Sequence, residues 1–96
     1  MTTVDPALPG AEIVSKGMAD LAQGRSSEEA LLVTAAAPRL RALGLDVVPS
    51  GVDAPLHRLY ELLATADRAG AHSRYNALIG RITSFARAAE HASTGR

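Results

Sequence analysis

The stretch "AHSRYNALIGRITSFARAAEH", Ala71 to His91, constrains this chain more than any other. Tyr75, Leu78, Ile79, Ile82, Phe85, Ala86 and Ala89 recur at helical spacing and form one apolar stripe. Arg74, Asn76, Arg81, Ser84, Arg87 and Glu90 fall on the other face. A helix with such a stripe is stable only against a matching surface, which the rest of the chain or another chain has to supply. The same period divides the reactive-looking residues at its start. His72 and Ser73 fall at the helix entry, with Ser73 a candidate cap. Tyr75 opens the stripe, while Arg74 and Asn76 point toward solvent or a partner.

The segment before it offers that surface. Leu56, Leu59, Tyr60 and Leu63 follow the i, i+3, i+4, i+7 pattern, with Asp53 placed to cap and Pro55 in the first turn. This helix is expected to end near Ala66 or Asp67. The short "DRAGA" connection then predicts an antiparallel helical hairpin. Upstream, Ile13, Val14, Gly17, Met18 and Leu21 share a face of a helix expected from Gly10 to Gln23, which Gly24 stops. "RSSEEALL" is a start signal. Ser26 with Glu29 three residues later makes a capping box, Ser27 is the alternative cap, and Glu28 and Glu29 suit the positive end of the helix dipole. That helix is expected to kink or end at Pro38, followed by a short further helix closed by Gly44 and a loop through Pro49 and Gly51.

The expected fold is therefore all-α, a small bundle of about four helices ending in an antiparallel hairpin. Residues 1–9, with Pro6 and Pro9, read as a flexible arm, residues 10–92 as a single helical domain and residues 93–96 as a frayed tail. The 96 residues are 47% hydrophobic, but 19 of them are alanine, so the core rests on Leu, Ile and Val over a few faces. A core this small leaves a thin margin over chain entropy, and a second copy or another partner would add to it. No apolar run approaches a membrane span and "MTTVDPALPG" lacks the regions of a signal peptide, so the chain reads as cytoplasmic.

The formal net charge is zero, but residues 1–54 carry four basic and seven acidic side chains, and residues 55–96 six basic and three acidic. The split reads either as solvated faces or as a bipolar surface that orients a partner. No metal or cofactor is expected. There is no cysteine, no H-E-x-x-H pattern, no phosphate loop and no nucleophile elbow, and His57 with Glu61 at i, i+4 reads as a surface pair. The R-x4–6-H pattern of helical ribonucleases is missed by both Arg68–His72 and Arg87–His91, which have three intervening residues. The chain is expected not to be an enzyme. Arg74, Asn76, Arg81, Arg87, Glu28 and Glu29 are the candidate partner-binding residues. Arg74, Arg81 and Arg87 also allow an alternative, a small homodimeric helical module with modest RNA-binding capacity, although the aromatics lie on the apolar stripe rather than among the arginines.

"IVSKGMADLAQGRSSEEALLVTAAAPRLRALG", "HRLYELLA" and "AHSRYNALIGRITSFARAAE" together resemble small actinobacterial proteins encoded beside nucleotidyltransferase-like toxins. The resemblance spans roughly residues 12–90 and rests on packing and capping patterns, so no active-site residue is carried over. It implies an antitoxin that binds the toxin directly and holds it inactive, the toxin being the enzyme that transfers nucleotides to tRNA.

Overall fold

The computed structural model describes residues 4–94. Among them are four helices and no strand: α1 (Ala11–Ala22), α2 (Glu28–Ala42), α3 (Pro55–Ala66) and α4 (Ala71–Thr94). Among the described residues, no helix is long and apolar enough to cross a membrane. Residues 1–3 and 95–96, the ends of the expected arm and tail, lie outside the described residues. Residues 4–9 turn toward the helices, with Val4 and Leu8 packed against the core and the Leu8 amide donating to the Asp5 carbonyl at 3.2 Å. At the other end α4 continues to Thr94, into the expected tail.

The expected stripes supply the core. Phe85, Leu32, Leu40, Leu59, Leu63, Val14 and Val33 are its largest fully buried side chains, at least one from each helix. Burying a side chain of this size stabilises by roughly 1.5–3 kcal/mol. Helices α1 and α2 meet closely at Gly17, where a Cβ would stand 2.5 Å from the Glu29 carbonyl oxygen and closer still to a Val33 methyl. Helices α2 and α4 run in the same direction. Glu28 near the start of α2 pairs with Arg74 near the start of α4, and Arg39 pairs with Glu90 toward their far ends. Helix α3 packs against both α2 and α4. The 24 residues of α4 span about 36 Å at helical rise, most of the 44 Å long axis.

Four local expectations change. Pro38 does not break α2, which runs unbroken to Ala42. Pro inside a helix costs about 3 kcal/mol, but Val33, Ala37 and Leu40 on both sides of it are buried in one core. Ending the helix at Ala37 would take Leu40, 0% exposed, out of register. The true end is a Schellman motif, in which the Gly44 amide donates to the Arg41 carbonyl and the Leu45 amide to the Leu40 carbonyl, with Gly44 at φ 91°. Helix α1 ends the same way at Gly24, its Arg25 amide donating to the Asp20 carbonyl at 2.8 Å.

Ser27, not Ser26, caps α2. Its Oγ accepts from the Ala30 amide at 3.1 Å and donates to Asp20, a second bond that fixes the choice. At α3 the residue before the helix is Ala54 in the left-handed region at φ 47°, with no side-chain cap. Asp53 stands one residue too early, because Pro55 fixes the first helical position. Ser73 does not cap α4, which already begins at Ala71. There the Asp67 carboxylate accepts from the Gly70 amide at 3.2 Å, and the Gly70 carbonyl accepts from Arg74. A Cβ at Gly70 would stand 2.5 Å from Asp67 Oδ2, so this turn uses glycine for space.

Candidate functional site

The six charged and polar candidates do not converge on one site. Arg74 Nη2 lies 3.1 Å from Glu28 Oε1, joining α4 to α2. Arg81 pairs with Glu12 and so joins α4 to α1. Glu29 Oε1 is 3.6 Å from Lys16 Nζ, between α2 and α1. Asn76 shares a hydrogen bond with His72 one turn earlier, at 3.1 Å between nitrogens. Arg87 acts on Glu90 through its field, which adds to the stronger hold of Arg39 in keeping the Glu90 carboxyl below the usual carboxylate range. Arg39 forks that carboxylate with bonds of 2.6 and 2.7 Å.

The opposite charges of the two halves of the chain are thus matched in part within the molecule. Glu12 and Glu28 of the acidic half meet Arg81 and Arg74 of the basic half, and Arg39 crosses the other way to Glu90. Exposed pairs of this kind are screened by solvent and add little to stability. Their larger effect is on register, because each joins a different pair of helices or a different level of the same pair.

Asp20 is the most buried charged side chain among the described residues, 5% exposed at the α1–α2 corner. Lys16 Nζ donates to it at 2.7 Å and Ser27 Oγ at 2.5 Å. These two bonds, Lys16 first, hold its carboxyl below its ordinary value. The same bond raises Lys16, with Glu29 adding a smaller push. Asp20, Ser27 and the Ala30 amide form a relay that fixes the start of α2. Its geometry is that of a structural corner, since Asp20 Oδ2 takes both the Lys16 and the Ser27 donors and Ser27 Oγ also takes the Ala30 amide.

An aromatic edge lies along α3 and α4. Tyr60 is 38% exposed, and its ring meets Tyr75 edge-on at 5.4 Å between centroids and His72 at 6.5 Å. Leu56 lies one turn before Tyr60 and Ile79 one turn after Tyr75, and Leu56, Tyr75 and Ile79 are half-buried. The expected stripe of α3 therefore splits, with Leu59 and Leu63 in the core, Leu56 at its margin and Tyr60 outside it. Periodicity places all four on one broad face and does not separate the buried centre from the margin. The signal for the difference is chemical: Tyr carries a hydroxyl that favours a wet edge. Leu62 and Val48 are further exposed apolar side chains, each at 41%.

Among the described residues no group of three or more His, Cys, Asp or Glu is placed to hold a metal ion. His57 and Glu61 form the expected exposed pair, 3.7 Å apart. Arg68 lies in the turn before α4, so it does not share a helix with His72. A hollow of about 120 Å3 lies between the α1–α2 corner and residues 49–52, lined by Leu21, Arg25, Ser26, Pro49, Ser50 and Val52, too small for a nucleotide. No family model, curated protein or solved structure matches the chain.

Proposed function

We propose that this chain is a cytoplasmic, non-enzymatic antitoxin that binds and inhibits a nucleotidyltransferase-like toxin by direct protein contact. The observation that carries the binding half of this reading is the edge formed by Leu56, Tyr60, His72, Tyr75 and Ile79, whose apolar surface the chain's own core leaves partly uncovered. Tyr is enriched where one protein meets another, because its ring buries area while its hydroxyl keeps a polar partner. The identity of the partner comes from the resemblance of residues 12–90. On this reading Arg74, Arg81, Glu28 and Glu29 support the shape of the binding surface from within the fold, while Asn76 and Arg87 flank it on α4.

The test is co-expression with the product of the adjacent gene, followed by pull-down. Rescue from toxicity with a stable complex is the expected result. Tyr60→Ala is expected to weaken the complex by about 1–2 kcal/mol, roughly tenfold, with helix content unchanged. A purified chain that neither binds nor neutralises that product rules the proposal out. The alternative of a homodimeric RNA-binding module draws less support, since Arg74 and Arg81 are engaged by Glu28 and Glu12. It predicts salt-sensitive RNA binding that falls when Arg87 becomes Ala.

A further inference from the structure

After the Schellman end of α2 the chain does not cross directly to α3. It doubles back along α2. Both the Nε and Nη2 of Arg41 donate to the Val47 carbonyl, at 3.3 and 3.0 Å. Further along, Thr34 Oγ1 lies 3.3 Å from Ser50 Oγ. By residues 49–52 the chain has reached the α1–α2 corner, where it lines the hollow with Leu21 and Ser26. Thr34, Ala37 and Arg41 are three and four residues apart on α2, so they share one helix face. The returning segment lies over that face, and Ala37, between the two tethers, is 5% exposed.

Two side chains anchor this segment in the core, Leu45 at 5% and Val47 at 3% exposure, with Val52 packed at its margin. The backbone contributes little. Within residues 45–54, the Leu45 amide donates to the Leu40 carbonyl at the end of α2, the Val47 amide bonds back to the Leu45 carbonyl and the Val52 amide to Ser50 Oγ. Among the described residues no other main-chain donor of this stretch has a protein partner. The segment also ends on Ala54 at φ 47°, a left-handed conformation unfavourable for a residue with a Cβ. Its attachment is thus two apolar pegs, the Arg41 and Thr34 tethers, one backbone bond to Leu40 and a strained end, against helices held by full ladders. Few backbone bonds and few buried contacts mark the parts of a protein that open below the threshold of global unfolding.

We propose that residues 45–54 form a strap that opens as a unit while the four helices stay packed, uncovering the Thr34–Ala37–Arg41 face of α2. Opening withdraws Leu45 and Val47 and frees the Arg41 guanidinium, leaving an apolar strip with a cation at one end. The chain carries its own removable cover over this strip. The inference stands on the strap's own contacts and is independent of the antitoxin reading.

The absence of cysteine makes a direct test available. Val47→Cys and, as a core reference, Leu63→Cys are labelled with a thiol reagent under native conditions. The expected result is labelling at position 47 at least about tenfold faster than at position 63, with weaker dependence on low urea, as sub-global opening requires. Arg41→Ala speeds labelling at 47 without changing that at 63, and Ala54→Gly slows it. Equal rates and equal urea dependence at the two sites mean that the strap opens only with the whole fold, which overturns the proposal. Should Val47→Cys fail to fold, thermolysin treatment of the unaltered chain decides the matter. A first cut between residues 11 and 94 that falls at Leu45, Val47, Val48 or Val52 supports the strap, and a first cut inside any helix refutes it.

Discussion

Replacing Gly17 with alanine tests the contact between α1 and α2 most directly. In an open helix the change would stabilise by about 1 kcal/mol, because alanine loses less backbone entropy than glycine. At Gly17 the new Cβ would stand 2.5 Å from the Glu29 carbonyl oxygen, a backbone atom that cannot rotate away, and closer still to a Val33 methyl. Overpacking of this kind costs about 1–3 kcal/mol. Because the obstruction is backbone, the upper part of that range applies and leaves a net loss of about 1–2 kcal/mol. Gly80 provides the matched control. It lies inside α4 with nothing within 4 Å of an added Cβ, so Gly80→Ala is expected to gain about 1 kcal/mol. Each kcal/mol corresponds to about 4–8 °C in Tm for a domain of this size. Thermal and urea denaturation followed by circular dichroism should therefore move in opposite directions for the two variants. If both raise Tm alike, α1 and α2 are not in the close contact described and the argument fails.

Three further outcomes follow from particular residues. Ala54→Gly removes the Cβ from a left-handed position and should raise stability by about 0.5–1 kcal/mol, read as a higher urea midpoint. Phe85→Ala should cost about 3–5 kcal/mol, a large share of the total stability of a small domain, and calorimetry should show loss or near-loss of the cooperative transition. The carboxyl of Asp20 titrates below its ordinary value of 3.8, so its contribution is present above that value and lost as pH falls through the lower folded one. Asp20→Asn should therefore lower the urea midpoint at neutral pH, and the gap to the unaltered chain should narrow in acid. A constant gap from neutral to strongly acid pH would contradict the described bonds from Lys16 and Ser27.

The helices themselves were legible in the sequence. The stripes through Val14, Leu59, Leu63 and Phe85 mark the buried faces, and glycines mark both Schellman ends. What periodicity could not supply was the outcome of local competition. Pro38 is a breaker by its own chemistry, and only the burial of Leu40 beyond it keeps the helix whole. Ser26 and Ser27 are equivalent caps until Asp20, seven residues away in the chain, selects one. The charged candidates were legible as charges but not as pairs. The partners of Arg74 and Arg39 stand 46 and 51 residues away, and no local pattern specifies such a distance. Tyr60 was read with its stripe because spacing assigns a face and is silent on where that face ends.

The shared direction of α2 and α4 also sets an order of assembly. The α1–α2 corner joins residues close in sequence and can close as soon as both helices have been synthesised. The Glu28–Arg74 and Arg39–Glu90 pairs and the slot for Phe85 must wait for the last helix. Until then the finished portion of a nascent chain has a formal charge of −3 over residues 1–54, with Glu12, Glu28 and the apolar flank of α2 still without their partners. Anything cationic nearby meets the chain in that interval as it never does afterwards. The arrival of α4 closes the core and brings Arg74 and Arg81 to Glu28 and Glu12 in the same step.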